Sequence, residues 1–164
     1  MIAALLPEAA RAGIPLSDIY VGAIGENCPP SGHCEKNGWV RAMYAAQPSL
    51  KTEVVGWNFH PYGPPHGTDE WNNYGIENLP PVRSTMTSGQ NNIIISEVGY
   101  EGNTTESAKQ LTEMLNTALS YHEEGWLKAL IVYARGEGAW VMQEPSGSLT
   151  GMGEALVAFA AAHG

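Results

Sequence analysis

A run of three isoleucines, Ile93 to Ile95 in "NNIIISEVGY", is the feature that most constrains the fold. Three β-branched residues in succession leave no polar face, so the run is typical of a strand buried on both faces of a parallel sheet. Segments of similar strand character lie at residues 18–25, 53–63 and 127–136. Consecutive parallel strands require long crossover connections, usually helices. The isoleucine run therefore predicts an alternation of strands and helices.

Segments with helical spacing do separate the strands. The predicted helices are one ending at Gly13, one closed by Pro48, a weaker one near 82–89, one between Asn103 and Gly125, and one over 151–164. Asn103 and Glu106 form a candidate capping box, with Asn103 as the N-cap. These units predict an α/β protein with a parallel sheet, in one domain covering residues 1–164.

Two α/β architectures fit this alternation. An open, doubly wound sheet that binds a nucleotide or phosphate normally has a glycine-rich loop after a strand. The glycines of "RGEGAW" do not match that fingerprint. Four strand–helix units are instead half of what an eight-fold (β/α) barrel needs, and such barrels usually take about 250 residues. We therefore expect a (β/α)4 half-barrel with outer helices.

Charge and hydropathy narrow the partner classes. The net charge is −9 with no run of Lys or Arg, which disfavours nucleic acid and anionic membranes as partners and is compatible with neutral substrates. No apolar stretch approaches the roughly 20 residues that a membrane-spanning helix requires. The first 13 residues lack the basic leader and uninterrupted apolar run of a signal peptide. The sequence leaves the localisation open.

The two cysteines lie close together in "GENCPPSGHCEK". Cys28 and Cys34 could form a small-loop disulfide, which would indicate that the parent protein is secreted into an oxidising compartment. Two free thiols are a second interpretation. A metal site with His33 is a third, but its spacing matches no familiar zinc pattern, and we predict no metal.

Polar and ionisable residues lie at the carboxyl end of every predicted strand. In parallel α/β proteins the carboxyl ends of the strands lie at one edge, where functional groups collect. The candidates there are Glu26 at the end of the first strand, Asn58, His60 and Tyr62 at that of the second, Glu97 at that of the third, and Tyr133, Arg135 and Glu137 at that of the fourth. A carboxylate behind an apolar strand costs free energy unless a partner or a function holds it there.

The motifs "HPY" (His60 to Tyr62) and "SEVGY" (Ser96 to Tyr100) resemble those of retaining glycoside hydrolases of the (β/α)8 clan that includes cellulases and β-glucosidases. The resemblance covers the chain as barrel strands five to eight. It implies hydrolysis of β-glycosidic bonds with a glutamate nucleophile, on oligosaccharides, polysaccharides or aryl glycosides. Glu97 would be that nucleophile, Tyr62 would hold its carboxylate, and His60 would line the sugar site. No cofactor is implied.

Other residues would contact the sugar under this resemblance. They are Glu26, Asn58, Trp71, Tyr133, Arg135 and Trp140, with Trp57 as a further stacking candidate. Simpler roles stay open for the central residues. Glu97 could be a structural acid paired with Arg135, and His60 could hydrogen-bond a loop carbonyl. A single tryptophan is also more often part of the core than of a sugar platform.

The chain departs from the family in its acid/base residue. Retaining glycosidases use two carboxyl groups, and the clan's second one belongs to an Asn-Glu pair on barrel strand four, which has no counterpart here. A homodimer could supply Glu137 of a second copy across the barrel from Glu97. A missing N-terminal half could supply the family's own residue. The alternative function is a non-catalytic carbohydrate-binding or truncated fragment.

Overall fold

The four predicted strands form one parallel sheet. In the computed structural model, which describes residues 2–24, 36–62, 75–87, 89, 91–100, 104–134 and 141–164, the strands are β1 (Tyr20–Ile24), β2 (Gly56–Phe59), β3 (Asn92–Val98) and β4 (Leu127–Val132). Neighbours pair in the order β1-β2-β3-β4, and all three pairings are parallel. The prediction of an α/β protein with a parallel sheet is confirmed. Each strand is shorter than its predicted segment because its ends carry polar or loop residues.

The five predicted helices are present, one of them shifted, and a short sixth helix at Leu50–Glu53 was not predicted, its last residue having been assigned to the second strand. They are α1 (Ile2–Arg11), α2 (Lys36–Ala46), α3 (Leu50–Glu53), α4 (Leu79–Arg83), α5 (Thr105–Glu123) and α6 (Gly151–His163). The helix predicted near 82–89 is α4, which begins earlier than expected. Pro80 and Pro81 lie in its first turn, where amide hydrogens have no intrahelical acceptor and proline is tolerated. None of the helices among the described residues is long and apolar enough to cross a membrane.

The start of α5 corrects the predicted capping box. Thr104, not Asn103, is the N-cap: its Oγ1 accepts a hydrogen bond of 3.0 Å from the Ser107 amide. A threonine hydroxyl three residues before that amide completes the cap, and Asn103 itself lies outside the described residues. The predicted end is confirmed, because Gly125 has φ +84° and its amide donates to the His122 carbonyl at 2.8 Å.

The two faces of the sheet differ in burial. One row of register partners is buried in the core with apolar residues of α2, α4 and α5: Val21, Trp57, Ile93 and Leu127. The next row lies on the opposite face: Gly22, Asn58, Ile94 and Ala129. Gly22 and Ala129 are exposed there, and Ile131 of β4 is 58% exposed. Within the described residues, helices cover one face of the sheet, whereas parallel sheets are normally covered on both.

Strands β2 and β3 approach each other closely at their amino ends. Gly56 pairs with Asn92, and a Cβ atom on Gly56 would lie 2.2 Å from the Asn92 carbonyl oxygen. No side chain can be accommodated at that distance. The glycine therefore sets the spacing of the two strands whose opposite ends carry the candidate site.

Candidate functional site

The candidate site lies where β2 and β3 end. Asn58 pairs with Ile94 and Phe59 pairs with Ile95, so the residues after Phe59 run beside Ser96 and Glu97. Because side chains alternate along a strand, Phe59 and Ile95 point into the core while their polar neighbours point the other way. The local pattern of one apolar and one polar residue thus delivers Asn58, His60 and Ser96 to the same place.

Asn58 and Ser96 are joined by two hydrogen bonds. The Ser96 amide donates to Asn58 Oδ1 at 3.1 Å, and Asn58 Nδ2 donates to Ser96 Oγ at 2.7 Å. A backbone N–H can only donate, so the first bond fixes which end of the Asn58 amide is oxygen. The nitrogen is then the atom that faces the serine hydroxyl, and Ser96 Oγ is an acceptor in that bond.

His60 continues the chain of contacts. Its Nε2 lies 2.9 Å from Ser96 Oγ, and its Nδ1 lies 3.8 Å from Glu97 Oε2. Ser96 Oγ already accepts from Asn58, and the described residues offer its hydrogen no acceptor other than His60 Nε2. A neutral imidazole that accepts at Nε2 carries its proton on Nδ1. The network therefore favours the tautomer whose N–H faces Glu97.

Glu97 is held by the neighbouring strand and remains open to solvent. The Tyr62 hydroxyl donates a hydrogen bond to Glu97 Oε1. The His60 and Tyr62 rings meet edge-on, with centroids 6.4 Å apart at an angle of 89°. The Glu97 side chain is 36% exposed and that of His60 is 18% exposed. A fixed carboxylate that a solute can reach is the arrangement required of a nucleophile or a general base.

Tyr133 is the described candidate from the last strand. Its amide donates to the Val98 carbonyl at 2.6 Å, so it follows β4 directly beside the end of β3, and its side chain is half-buried. The other candidates lie outside the described residues: Glu26, Cys28, Cys34, Trp71, Arg135, Glu137 and Trp140. Their predicted roles, including the disulfide and the Glu97–Arg135 pair, stay predictions.

The structure places Trp57 in the core. Its side chain is fully buried and packs edge-on against Tyr44, with ring centroids 5.4 Å apart at 84°. Its indole N–H has no hydrogen-bond partner among the described residues. A ring without an exposed face cannot stack on a sugar, so the core interpretation of this tryptophan is the one that the structure supports.

Ser96 is the site residue that sequence reasoning missed. Nothing about a serine between an isoleucine and a glutamate marks it as the link between Asn58 and His60. The available signal was the alternation of side chains along the strand. Ser96 and Ile94 are two residues apart and so lie on the same face of β3, and Asn58 is the register partner of Ile94. That signal can be used only after the register of β2 and β3 is known.

Comparisons with known proteins identify no relative, and the described residues suggest no metal site. No protein-family model matches the chain, and neither a curated protein nor a solved structure matches it. The part of the chain that the structure describes contains no group of three His, Cys, Asp or Glu side chains that could hold a metal ion. The function is therefore inferred from the geometry around Glu97.

Proposed function

We propose that the chain is half of a retaining glycoside hydrolase barrel and that Glu97 is its nucleophile. The observation that carries the proposal is the placement of Glu97 at the carboxyl edge of a parallel sheet, with the Tyr62 hydroxyl on Oε1 and His60 Nδ1 3.8 Å from Oε2. Both neighbours come from the adjacent strand, in the two motifs that resemble the glycosidase clan.

The contacts suit a carboxylate that attacks an anomeric carbon. Such a group must be fixed in direction, and a hydrogen bond to one of its oxygens achieves this. Tyr62 occupies Oε1, whereas Oε2 has no hydrogen bond among the described residues. Oε2 would attack the anomeric carbon as its bond to the leaving-group oxygen breaks, that oxygen taking a proton from the acid/base carboxyl; water would then hydrolyse the glycosyl–enzyme ester, returning that proton and releasing the sugar and the Glu97 carboxylate. His60 Nδ1–H would orient that oxygen, and its spacing would shorten when substrate excludes water.

The strand order supports a half-barrel. A doubly wound sheet reverses its strand order at a switch point, where helices pass to the second face. The order β1-β2-β3-β4 contains no reversal, and no described helix covers the face of the sheet that carries Ala129 and Ile131. Right-handed crossovers in a single direction place all helices on one side, as in a barrel. The exposed face, with Ala129 and Ile131, would then be the barrel interior.

Retention requires a second carboxyl group about 5–5.5 Å from the first. Among the described residues at the carboxyl ends of the strands, Glu97 is the only carboxylate. We propose that a two-fold dimer supplies the partner, with β4 of one copy beside β1 of the other and Glu137 of the second copy as acid/base. Within the described residues β1 and β4 are the edge strands, and each has one side without a neighbouring strand, which such a contact would pair.

Sedimentation equilibrium tests the dimer. A dimer is expected at micromolar concentration, and Ile131→Lys should shift it to monomer, since Ile131 is 58% exposed on the face that would be enclosed. Val157→Lys is the matched control, because Val157 is 55% exposed on α6, on the outer layer. A wild-type monomer would contradict the dimer and leave a missing half as the completion of the barrel.

Hydrolysis of an activated aryl glycoside tests the nucleophile. Its good leaving group reduces the need for an acid, so turnover reports on Glu97 even where the second carboxyl is imperfectly placed. We expect Glu97→Gln to lower kcat/KM at least about a thousandfold. Glu53→Gln, the same change on an exposed helix residue, should leave the rate within about twofold of wild type. Equal rates in both variants would reject Glu97 as nucleophile.

A second candidate function is carbohydrate binding without catalysis. It is favoured because Glu97 is the only carboxylate among the described residues at this edge, whereas retaining hydrolysis needs two. It predicts that oligosaccharides perturb the NMR signals of His60 and Tyr62 while no glycoside is cleaved, and that Glu97→Gln still binds. Turnover that depends on Glu97 excludes it.

A further inference from the structure

A second concave surface lies at the opposite edge of the sheet from Glu97. It has a volume of about 400 Å³ and is lined by Arg41, Tyr44, Ala45, Lys51 and residues 85–87. Lys51 belongs to α3, which precedes β2, and residues 85–87 precede β3. We call this surface the amino-edge pocket. Its volume is in the range of small-molecule sites.

The amino-edge pocket is lined by two basic side chains that have no oxygen partner among the described residues. Six basic side chains are described, and four of them contact an oxygen: Arg11 contacts Glu8, Lys109 contacts Glu113, Arg83 donates to the Asn91 carbonyl and Lys128 donates to the Gly125 carbonyl. Arg41 and Lys51 have no oxygen partner among the described residues, and both line the amino-edge pocket. The lining residues include no carboxylate.

Tyr44 adds a hydrogen-bond donor to the same surface. The residue is 7% exposed, and its hydroxyl oxygen accepts from the Thr87 amide at 3.1 Å. The hydrogen of that hydroxyl has no acceptor among the described residues. The Lys51 ammonium lies 5.5 Å from the centre of the Tyr44 ring, on its face. A hydroxyl whose hydrogen has no protein acceptor is available to donate to a ligand oxygen that displaces water from the pocket.

We propose that the amino-edge pocket binds a dianionic tetrahedral oxyanion: a phosphate, either free or as the monoester group of a small molecule, or inorganic sulfate. Two cations without an anionic partner match its charge. The guanidinium of Arg41 can form a paired contact with two of its oxygens, and Lys51 and the Tyr44 hydroxyl can donate to the others. The net charge of −9 repels anions at long range, so binding depends on these local contacts.

The site is distinct from the proposed glycosidase site, and it stands without it. Glu97 and its neighbours lie at the carboxyl ends of β2 and β3, whereas the pocket residues precede the same strands. A ligand bound there would leave the carboxyl edge of the sheet accessible.

An NMR titration tests the proposal. The full chain is titrated separately with inorganic phosphate, sulfate and acetate, and the backbone amide signals of Thr85 and Thr87 are followed. We expect saturable binding of phosphate or sulfate with a millimolar Kd, and binding of acetate that is at least about tenfold weaker. The anion that binds more tightly identifies the group that the pocket recognises. The double variant Arg41→Gln/Lys51→Gln should weaken binding at least about tenfold. Tyr44→Phe should weaken it by a smaller factor.

The double variant Arg11→Gln/Lys109→Gln is the matched control, because it removes two positive charges that already have carboxylate partners. It should bind within about twofold of wild type. Equal loss in the two double variants would show a long-range charge effect and overturn the site. Absence of saturation by either dianion, or acetate binding as tight as theirs, would overturn it as well. Circular dichroism confirms that each variant is folded.

Discussion

The two edges of the sheet satisfy their polar groups in different ways. At the carboxyl edge, Asn58, Ser96 and His60 hydrogen-bond one another and the chain of contacts ends on Glu97. At the amino edge, Arg41 and Lys51 face a concave surface without an oxygen partner among the described residues. The first arrangement is fixed before any ligand arrives, so its geometry can direct chemistry. The second leaves its charges for a ligand to neutralise.

Gly56 lies at the amino edge and sets the spacing of the two strands that carry the carboxyl-edge site. Its substitution should have the largest effect on stability. Gly56→Ala would place a Cβ atom 2.2 Å from the Asn92 carbonyl oxygen, so β2 and β3 would have to separate. We expect a loss of about 3 kcal/mol in the free energy of unfolding, measured by urea denaturation. The disturbance at the amino edge should also reach the Asn58–Ser96 hydrogen bonds.

Gly89→Ala is the control for this prediction. Gly89 has φ +94°, but a Cβ atom there would meet nothing within 4 Å, so only backbone strain is added, at about 1 kcal/mol. Equal losses in the two variants would mean that the close approach of β2 and β3 is not limiting.

Ser96→Ala should have the next largest effect on stability. It removes hydrogen bonds at the carboxyl edge and leaves the amino edge unchanged. It leaves Asn58 Nδ2 and His60 Nε2 without their partner, which should cost about 1.5 kcal/mol in the free energy of unfolding. The ring ¹⁵N shifts of His60 should also move away from the pattern of a neutral ring protonated at Nδ1. Ser17→Ala, which removes an exposed hydroxyl, should cost less than about 0.5 kcal/mol. An unchanged His60 tautomer in Ser96→Ala would contradict the network.

The sequence predicts the carboxyl edge better than it predicts its internal contacts. The isoleucine run indicates β3 because local patterning and burial agree, and the strand indeed runs from Asn92 to Val98. The Thr104 cap and the early start of α4 were missed because adjacent residues offered competing local signals. The role of Ser96 depends on the register with β2, which no local pattern specifies. Tyr62 and Glu97 were paired from a resemblance, and the structure brings them into contact.

The basic residues of the amino edge should separate ligand binding from fold stability. In phosphate-free buffer, Arg41→Gln/Lys51→Gln should lower the free energy of unfolding by only about 0.5 kcal/mol, since no oxygen partner is lost and the contact of Lys51 with the Tyr44 ring is an exposed one. Arg83→Gln removes a hydrogen bond to the Asn91 carbonyl and a cation 5.1 Å from the centre of the Trp126 ring, at a cost of about 1 kcal/mol. A larger loss in the double variant would show that those two cations stabilise the fold itself.

Tyr20, at the amino end of β1, should give the smallest effect. Burial raises the pKa of its phenol above the ordinary value of 10.0, because the folded protein favours the neutral form. As the pH rises through 10, the unfolded chain loses this proton before the folded protein does. The free energy of unfolding therefore falls as the pH rises from the pKa of the unfolded chain to the higher pKa of the folded protein. Urea unfolding between pH 9 and 11 should therefore show a decline in stability that is shallower in Tyr20→Phe. Burial, followed by Glu77 and Glu124, also raises the pKa of Tyr121, so part of the decline should persist until Tyr121→Phe is added. Parallel pH profiles for wild type and Tyr20→Phe would show that the folded environment of this phenol does not oppose its ionisation.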